Sequence, residues 1–148
     1  MIKLGKKGFT LIEAIASIFI VTLVLTTAIS IIVNIRRQTF ATNERIVAIE
    51  VASRIRDNVI NETNYNELSI WQNGLLQTVD SSNCSLLDPP FSCDLFTYTA
   101  NGKTYDTSVS IVFYAPTAES ITYEVVHFSV FINYFADRSI ELTGIVYE

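Results

Sequence analysis

No glycine and no proline stands between Phe9 and Gly74, and no charged residue between Ala14 and Val33. The first absence removes the residues that break helices, so one continuous helix is permitted over the interval. The second leaves an uncharged apolar run of about 20 positions, which at about 1.5 Å each spans a hydrocarbon core of about 30 Å. Such a run predicts a segment that enters a membrane. Histidine occurs once, at His127, and cysteine twice, at Cys84 and Cys93; two thiols with no histidine nearby make a poor zinc site. The glycines form no phosphate-binding loop, and Asp80, Asp88 and Asp94 read as solvated loop acids rather than a calcium site. No catalytic grouping is left, so the chain reads as a non-enzyme with no cofactor and no metal. Nor is there an internal repeat or a low-complexity tract.

The chain has 148 residues, a one-domain length, and the part beyond the apolar run is too short for two independent cores. Its mean hydropathy of +0.34 is set mostly by the N-terminal third. Net charge is -5 and the pI about 4.8, yet Lys3, Lys6, Lys7, Arg36 and Arg37 all flank the apolar run. The remainder of the chain is therefore more acidic than the average. Phosphate contacts need clustered Lys and Arg, which disfavours direct nucleic-acid binding by a head of this charge. The three leader lysines favour a cytoplasmic N-terminus and a head outside. On that side a Cys84–Cys93 disulfide forms and persists, the other reading being two free thiols.

Past the apolar run, Phe40, Val47, Val51, Ile55 and Val59 recur at helical spacing with Arg45, Glu50, Arg54, Arg56 and Asp57 between them. That stripe predicts an amphipathic helix packed on something, fading near Asn61-Glu62-Thr63-Asn64. Residues 64 to 90 read as a polar, turn-rich connection in which Leu68, Ile70, Trp71, Leu75 and Leu76 cover the edge of a core. From Leu95 the period changes to two. Asn101-Gly102 predicts a tight hairpin between Phe96-Thr97-Tyr98-Thr99 and Thr104-Tyr105-Asp106-Thr107. Strands are then expected over Val109–Tyr114, over Ile121–Phe135 after a turn at Pro116, and over Ile140–Tyr147 after Ala136-Asp137-Arg138-Ser139. Four strands on short turns make an antiparallel meander. Val126, Phe128, Val130, Ile132 and Tyr134 would form the face buried under the helix stripe.

The start of the apolar run carries Lys6-Lys7-Gly8-Phe9-Thr10-Leu11-Ile12-Glu13. A general secretory signal would need a clean apolar core and a small-residue cut, here Thr26-Thr27-Ala28. Glu13 sits where that core should be cleanest, and apolarity continues past Ala28. The eight residues instead resemble the class III signal of type IV pilins and type II secretion pseudopilins. That resemblance implies a membrane peptidase cutting after Gly8, methylation of the new Phe9 amine, and an assembly role for Glu13. A carboxylate in the membrane costs about 2.5 to 3.5 kcal/mol at mid-span and less near the interface. The Phe9 amine of an incoming subunit would neutralise it and set axial register in a staggered bundle.

The chain departs from the resemblance in two ways. Many pilins carry a helix-breaking Gly or Pro in the membrane half, whereas only Thr22, Thr26, Thr27 and Ser30 soften this one. Disulfide loops of pilins usually close around the last strands, whereas Cys84 and Cys93 precede the sheet and Pro89-Pro90 stiffen their loop. That loop is expected to be either a subunit-specific surface or a stabilising staple.

The fold expected is α+β and pilin-like, a long N-terminal helix on a small antiparallel sheet. Its parts are a leader over residues 1–8, a transmembrane or filament-core helix over 9–35, an amphipathic continuation over 36–62, and a head over 63–148. The resemblance implies a structural subunit, a minor pilin or pseudopilin, held in the membrane and then polymerised outside. Its partners would be other pilin subunits, a prepilin peptidase, an assembly platform and its ATPase. The alternative is a single-span anchored binding domain that never polymerises.

Overall fold

The computed structural model describes residues 10–97, 99–100, 102–104, 108–134 and 138–147. Helix α1 runs Leu11–Glu62 without interruption, as the lack of glycine and proline permits. The chain divides into two units, Met1–Phe40 and Ala41–Glu148.

In the second unit, α1 is followed by α2 (Tyr65–Gln72), β1 (Gln77–Asp80), α3 (Cys84–Leu87), a 3-10 turn at Cys93–Phe96, and the short strands β2 (Thr99–Ala100) and β3 (Lys103–Thr104). β4 (Val109–Phe113), α4 (Ala118–Thr122), β5 (Val126–Asn133) and β6 (Ser139–Val146) complete it. The main sheet is antiparallel with strand order β1-β4-β5-β6, and β2 and β3 form a separate ribbon. The fold is thus α+β, the long helix packed on a four-stranded antiparallel sheet.

Local chemistry explains the boundaries. After Glu62 the Thr63 hydroxyl turns back to the Val59 carbonyl, and extended Asn64 accepts the Glu67 N–H at 2.9 Å, starting α2 as its N-cap. Asn73 and Gly74 stop α2 with φ of 49° and 74°, a left-handed exit that glycine tolerates at no steric cost. Thr117 and Ser120 form a reciprocal capping box that nucleates α4.

That box corrects one expectation. Residues 121–125 are not strand: Ile121 lies in α4, Glu124 has φ of 51°, and β5 begins at Val126. The sheet's fourth strand also differs. The Asn101-Gly102 hairpin does not join it, because Gln77–Asp80 already pairs along β4, Gln77 opposite Phe113 and Val79 opposite Ile111. Gly102, with φ of 75°, turns the small β2–β3 ribbon. Asn101, Tyr98 and residues 105–107 of the expected hairpin, and residues 135–137 of the expected strand end and turn, lie outside the described residues.

The core of this unit lies between α1 and one sheet face. Ala48, Val51, Ala52, Ile55 and Val59 from the helix meet Val109, Ile111, Phe113, Val126, Phe128, Val130 and Ile132. The helix face is offset from the expected stripe: Phe40 is 54% exposed, and the small Ala48 and Ala52 take the closest positions. Each of the fully buried Val51 and Val59 contributes about 1.5 to 3 kcal/mol of transfer free energy. Aromatic packing continues across the sheet. Phe128 stacks on Phe113 with centroids 5.5 Å apart, Phe113 stacks on Phe91 at 5.7 Å, and Trp71 meets Phe113 edge-on at 5.3 Å. Such pairs add about 0.5 to 1.5 kcal/mol each. Leu68 and Trp71 cover the core edge as expected, but Ile70, Leu75 and Leu76 point outward.

Candidate functional site

The first candidate site is the start of α1. Thr10 presents its carbonyl to the N–H groups of Glu13 at 3.0 Å and Ala14 at 3.1 Å, closing the first turn. Glu13 stands in that turn, where a carboxylate is favoured by the N-terminal end of the helix macrodipole. Gly8 and Phe9, read as the cut and the methylated residue, lie outside the described residues.

Beyond Glu13 the helix presents apolar side chains all round, among them Ile15, Phe19, Leu23, Ile31 and Ile35, all exposed. It is one helix long and apolar enough to cross a membrane. Its hydroxyls are self-satisfied. Ser17 donates to the Ala14 carbonyl at 2.9 Å, Thr22 to Phe19 at 2.8 Å, Thr26 to Leu23 at 3.0 Å, Thr27 to Val24 at 2.9 Å and Ser30 to Thr26 at 3.0 Å. In lipid, where an unpaired polar group costs several kcal/mol, this is what keeps such residues compatible with a spanning helix.

The second candidate is the cysteine loop. Cys84 and Cys93 are joined in a disulfide with Cα atoms 5.8 Å apart. Expected as either a subunit-specific surface or a stabilising staple, the loop is half core. Pro89 and Phe91 are buried, Trp71 Nε1 donates to the Leu87 carbonyl at 2.8 Å, and the Ser92 N–H donates to the Glu62 carboxylate at 3.2 Å. The bond to Glu62 ties the loop to the last residue of α1. Within residues 85–92, Ser85, Leu86, Asp88 and Ser92 are exposed.

Asp80, read from the sequence as a solvated loop acid, is instead the last residue of β1, while Ser129 and Glu141 were passed over. Asp80 accepts from the Ser82 hydroxyl at 2.5 Å, the Ser82 N–H at 2.8 Å and the Asn83 N–H at 3.1 Å. These bonds, the Ser82 hydroxyl first, hold its carboxyl below the ordinary carboxylate value against a partial desolvation that raises it. On the outer sheet face the buried Ser129 hydroxyl donates to Glu141 at 2.8 Å, and the Tyr114 hydroxyl reaches Ser129 at 3.2 Å. Among the described residues no group of three His, Cys, Asp or Glu is placed to hold a metal ion.

A basic leader, an acid in the first helical turn and an unbroken apolar helix thus stand together at one end of the chain. Residues 3–29 carry the prokaryotic N-terminal methylation motif. It is the class III signal of type IV pilins and pseudopilins, and it supports a precursor of that kind. The motif and the single apolar helix fit anchoring in a membrane. No curated protein and no solved structure matches the chain.

Proposed function

We propose that this chain is a structural subunit, a minor pilin or pseudopilin, of a type IV pilus-like filament. In this reading a prepilin peptidase removes residues 1–8 after Gly8 and methylates the amine of Phe9. Residues 9–35 hold the protein in the membrane with its N-terminus cytoplasmic, and an ATP-driven platform then draws that helix into the filament core. Residues 36–62 continue the helix into a head over 63–148 that faces outward and does no chemistry. The observation that carries the reading is the methylation motif at residues 3–29, overlapping the start of α1 at Leu11, with Glu13 in its first turn.

Glu13 has a specific task here. A carboxylate drawn into a low-dielectric bundle needs a cation, and the Phe9 amine of the adjoining subunit supplies it. Pairing of these two groups sets the stagger between neighbours. Glu13→Ala is expected to leave insertion and leader removal intact and to abolish incorporation into filaments; normal incorporation of the alanine chain would refute the assignment.

Intact mass of the protein recovered from cells, with and without the candidate peptidase, tests the whole reading. A peptidase-dependent chain beginning at Phe9 with one extra methyl is the expected product. A chain beginning at Met1 identifies an anchored binding domain instead, and one beginning at Ile29 an ordinary secreted protein.

A further inference from the structure

The two edges of the main sheet differ. Tyr134 donates to the Arg138 carbonyl at 2.8 Å, and Ile132 lies opposite Ile140 in the β5–β6 register. Antiparallel alternation then turns the backbone groups of Ile140, Leu142, Gly144 and Val146 toward β5, and those of Glu141, Thr143 and Ile145 away from it. At the other edge the Thr78 carbonyl and the Asp80 N–H point outward, but the Asn83 side chain occupies both. Its Nδ2 donates to Thr78 at 2.9 Å, and its Oδ1 accepts from Asp80 at 2.8 Å. One amide stands in for a strand and closes that edge. Among the described residues nothing takes up the outward groups of Glu141, Thr143 and Ile145.

Beside this open edge lies a groove of about 370 Å³ between β6 and α1, lined by Arg45, Ile49, Ala52, Ile140, Leu142 and Glu141, whose carboxylate turns to the Ser129 hydroxyl on the outer face. Its apolar walls are incompletely covered. Ile49 is 43% exposed and Ile140 and Leu142 are half-buried, whereas Val79 at the closed edge is fully buried. The edge also lacks the usual protections: it is eight residues long, holds no proline, and carries Glu141 as its single charge.

We propose that the β6 edge takes an added strand from a different protein chain, an extended segment with apolar side chains at alternate positions to fill the groove and a carboxylate to meet Arg45. Main-chain bonds to Glu141, Thr143 and Ile145 hold the segment, and the groove selects its side chains. A second copy of β6 fits less well. Its core-facing residues, Ile140, Leu142, Gly144 and Val146, offer Arg45 no acid, and its Glu141 is taken on the outer face by the Ser129 hydroxyl at 2.8 Å. The inference stands on the Ala41–Glu148 unit alone and holds whether the chain enters a filament or stays anchored.

The full chain carrying a benzophenone amino acid at position 145, irradiated in its native cells, tests this. One crosslinked peptide from another protein is expected, apolar at alternate positions and bearing an acid. Thr143→Pro should cut its yield about tenfold and Thr143→Ala should not, because proline removes the outward N–H at an edge position where a strand tolerates it. Absence of a crosslink, a crosslink to β6 of a second copy, or equal yields from the two variants would overturn the proposal. Amide exchange on the unmodified chain in detergent is a check that needs no variant. The Thr143 and Ile145 amides should exchange at least tenfold faster than those of Leu142 and Gly144, and equal protection would overturn the open edge.

Discussion

Replacing Gly144 by alanine loads one methyl onto the most crowded point of the sheet. Gly144 lies opposite Phe128 in the β5–β6 register, and the phenyl ring lies over the glycine. A Cβ there would sit 2.6 Å from Phe128 Cε1, nearer still to Cζ, and 3.0 Å from Arg56 Cγ. The Arg56 stem can swing away. The ring cannot, because Phe128 is 1% exposed and stacked on Phe113 at 5.5 Å. Overpacking of this kind costs about 1 to 3 kcal/mol. With an unfolding entropy of about 2.1 cal/mol/K per residue over Ala41–Glu148, that loss lowers Tm by about 4 to 13 °C. The assay is thermal unfolding of the full chain in detergent micelles, followed by the near-UV signal of Trp71, which packs edge-on against Phe113. Phe128→Leu removes the clashing edge of the ring, so in that background Gly144→Ala should cost less than about 0.5 kcal/mol more. A drop under about 2 °C with Phe128 present, or the same drop in both backgrounds, would refute the packing account.

The loop and its neighbours give further expected outcomes. Replacing Cys84 and Cys93 together by alanine opens a cross-link between residues nine apart and should lower stability by about 2 to 3 kcal/mol in the chain-entropy model; an unchanged denaturant midpoint would count against it. Asp80 titrates lower in the folded chain than its unfolded value of about 3.9, so the stability it contributes is fully present above that pH and is lost as pH falls through the lower folded value. Asp80→Asn should therefore flatten the acid limb of a stability-against-pH curve below about pH 4, and an unaltered limb would show that the Ser82 and Asn83 bonds carry no such linkage.

Several features were legible because their signals are local. The apolar run, the basic leader and Glu13 are read residue by residue, and the end of α1 near Asn61 is marked by fading periodicity and polar side chains. β4 and β6, and β5 from Val126 on, show period two over five or more residues, enough for the alternation to register. Gln77–Asp80 was hidden because four residues with one apolar side chain, Val79, carry no readable period. α4 went unread because it straddles the expected Pro116 turn and the start of the expected strand at Ile121, its signal reduced to the Thr117 and Ser120 cap.

The sequence by itself determined that a membrane-length helix begins beside a processing-type signal, continues into an amphipathic half and is succeeded by antiparallel strands. Those properties depend on composition and spacing within one stretch of chain. Only the tertiary structure decided the strand order β1-β4-β5-β6, the burial of Pro89 and Phe91 that makes the cysteine loop part of the core, and the difference between the closed Asn83 edge and the open β6 edge. Each of these is a meeting of groups that no local pattern encodes. Phe128 over Gly144, Trp71 on Leu87 and Glu62 on Ser92 are pairs separated by 16 to 30 residues, chosen by which faces could be buried together.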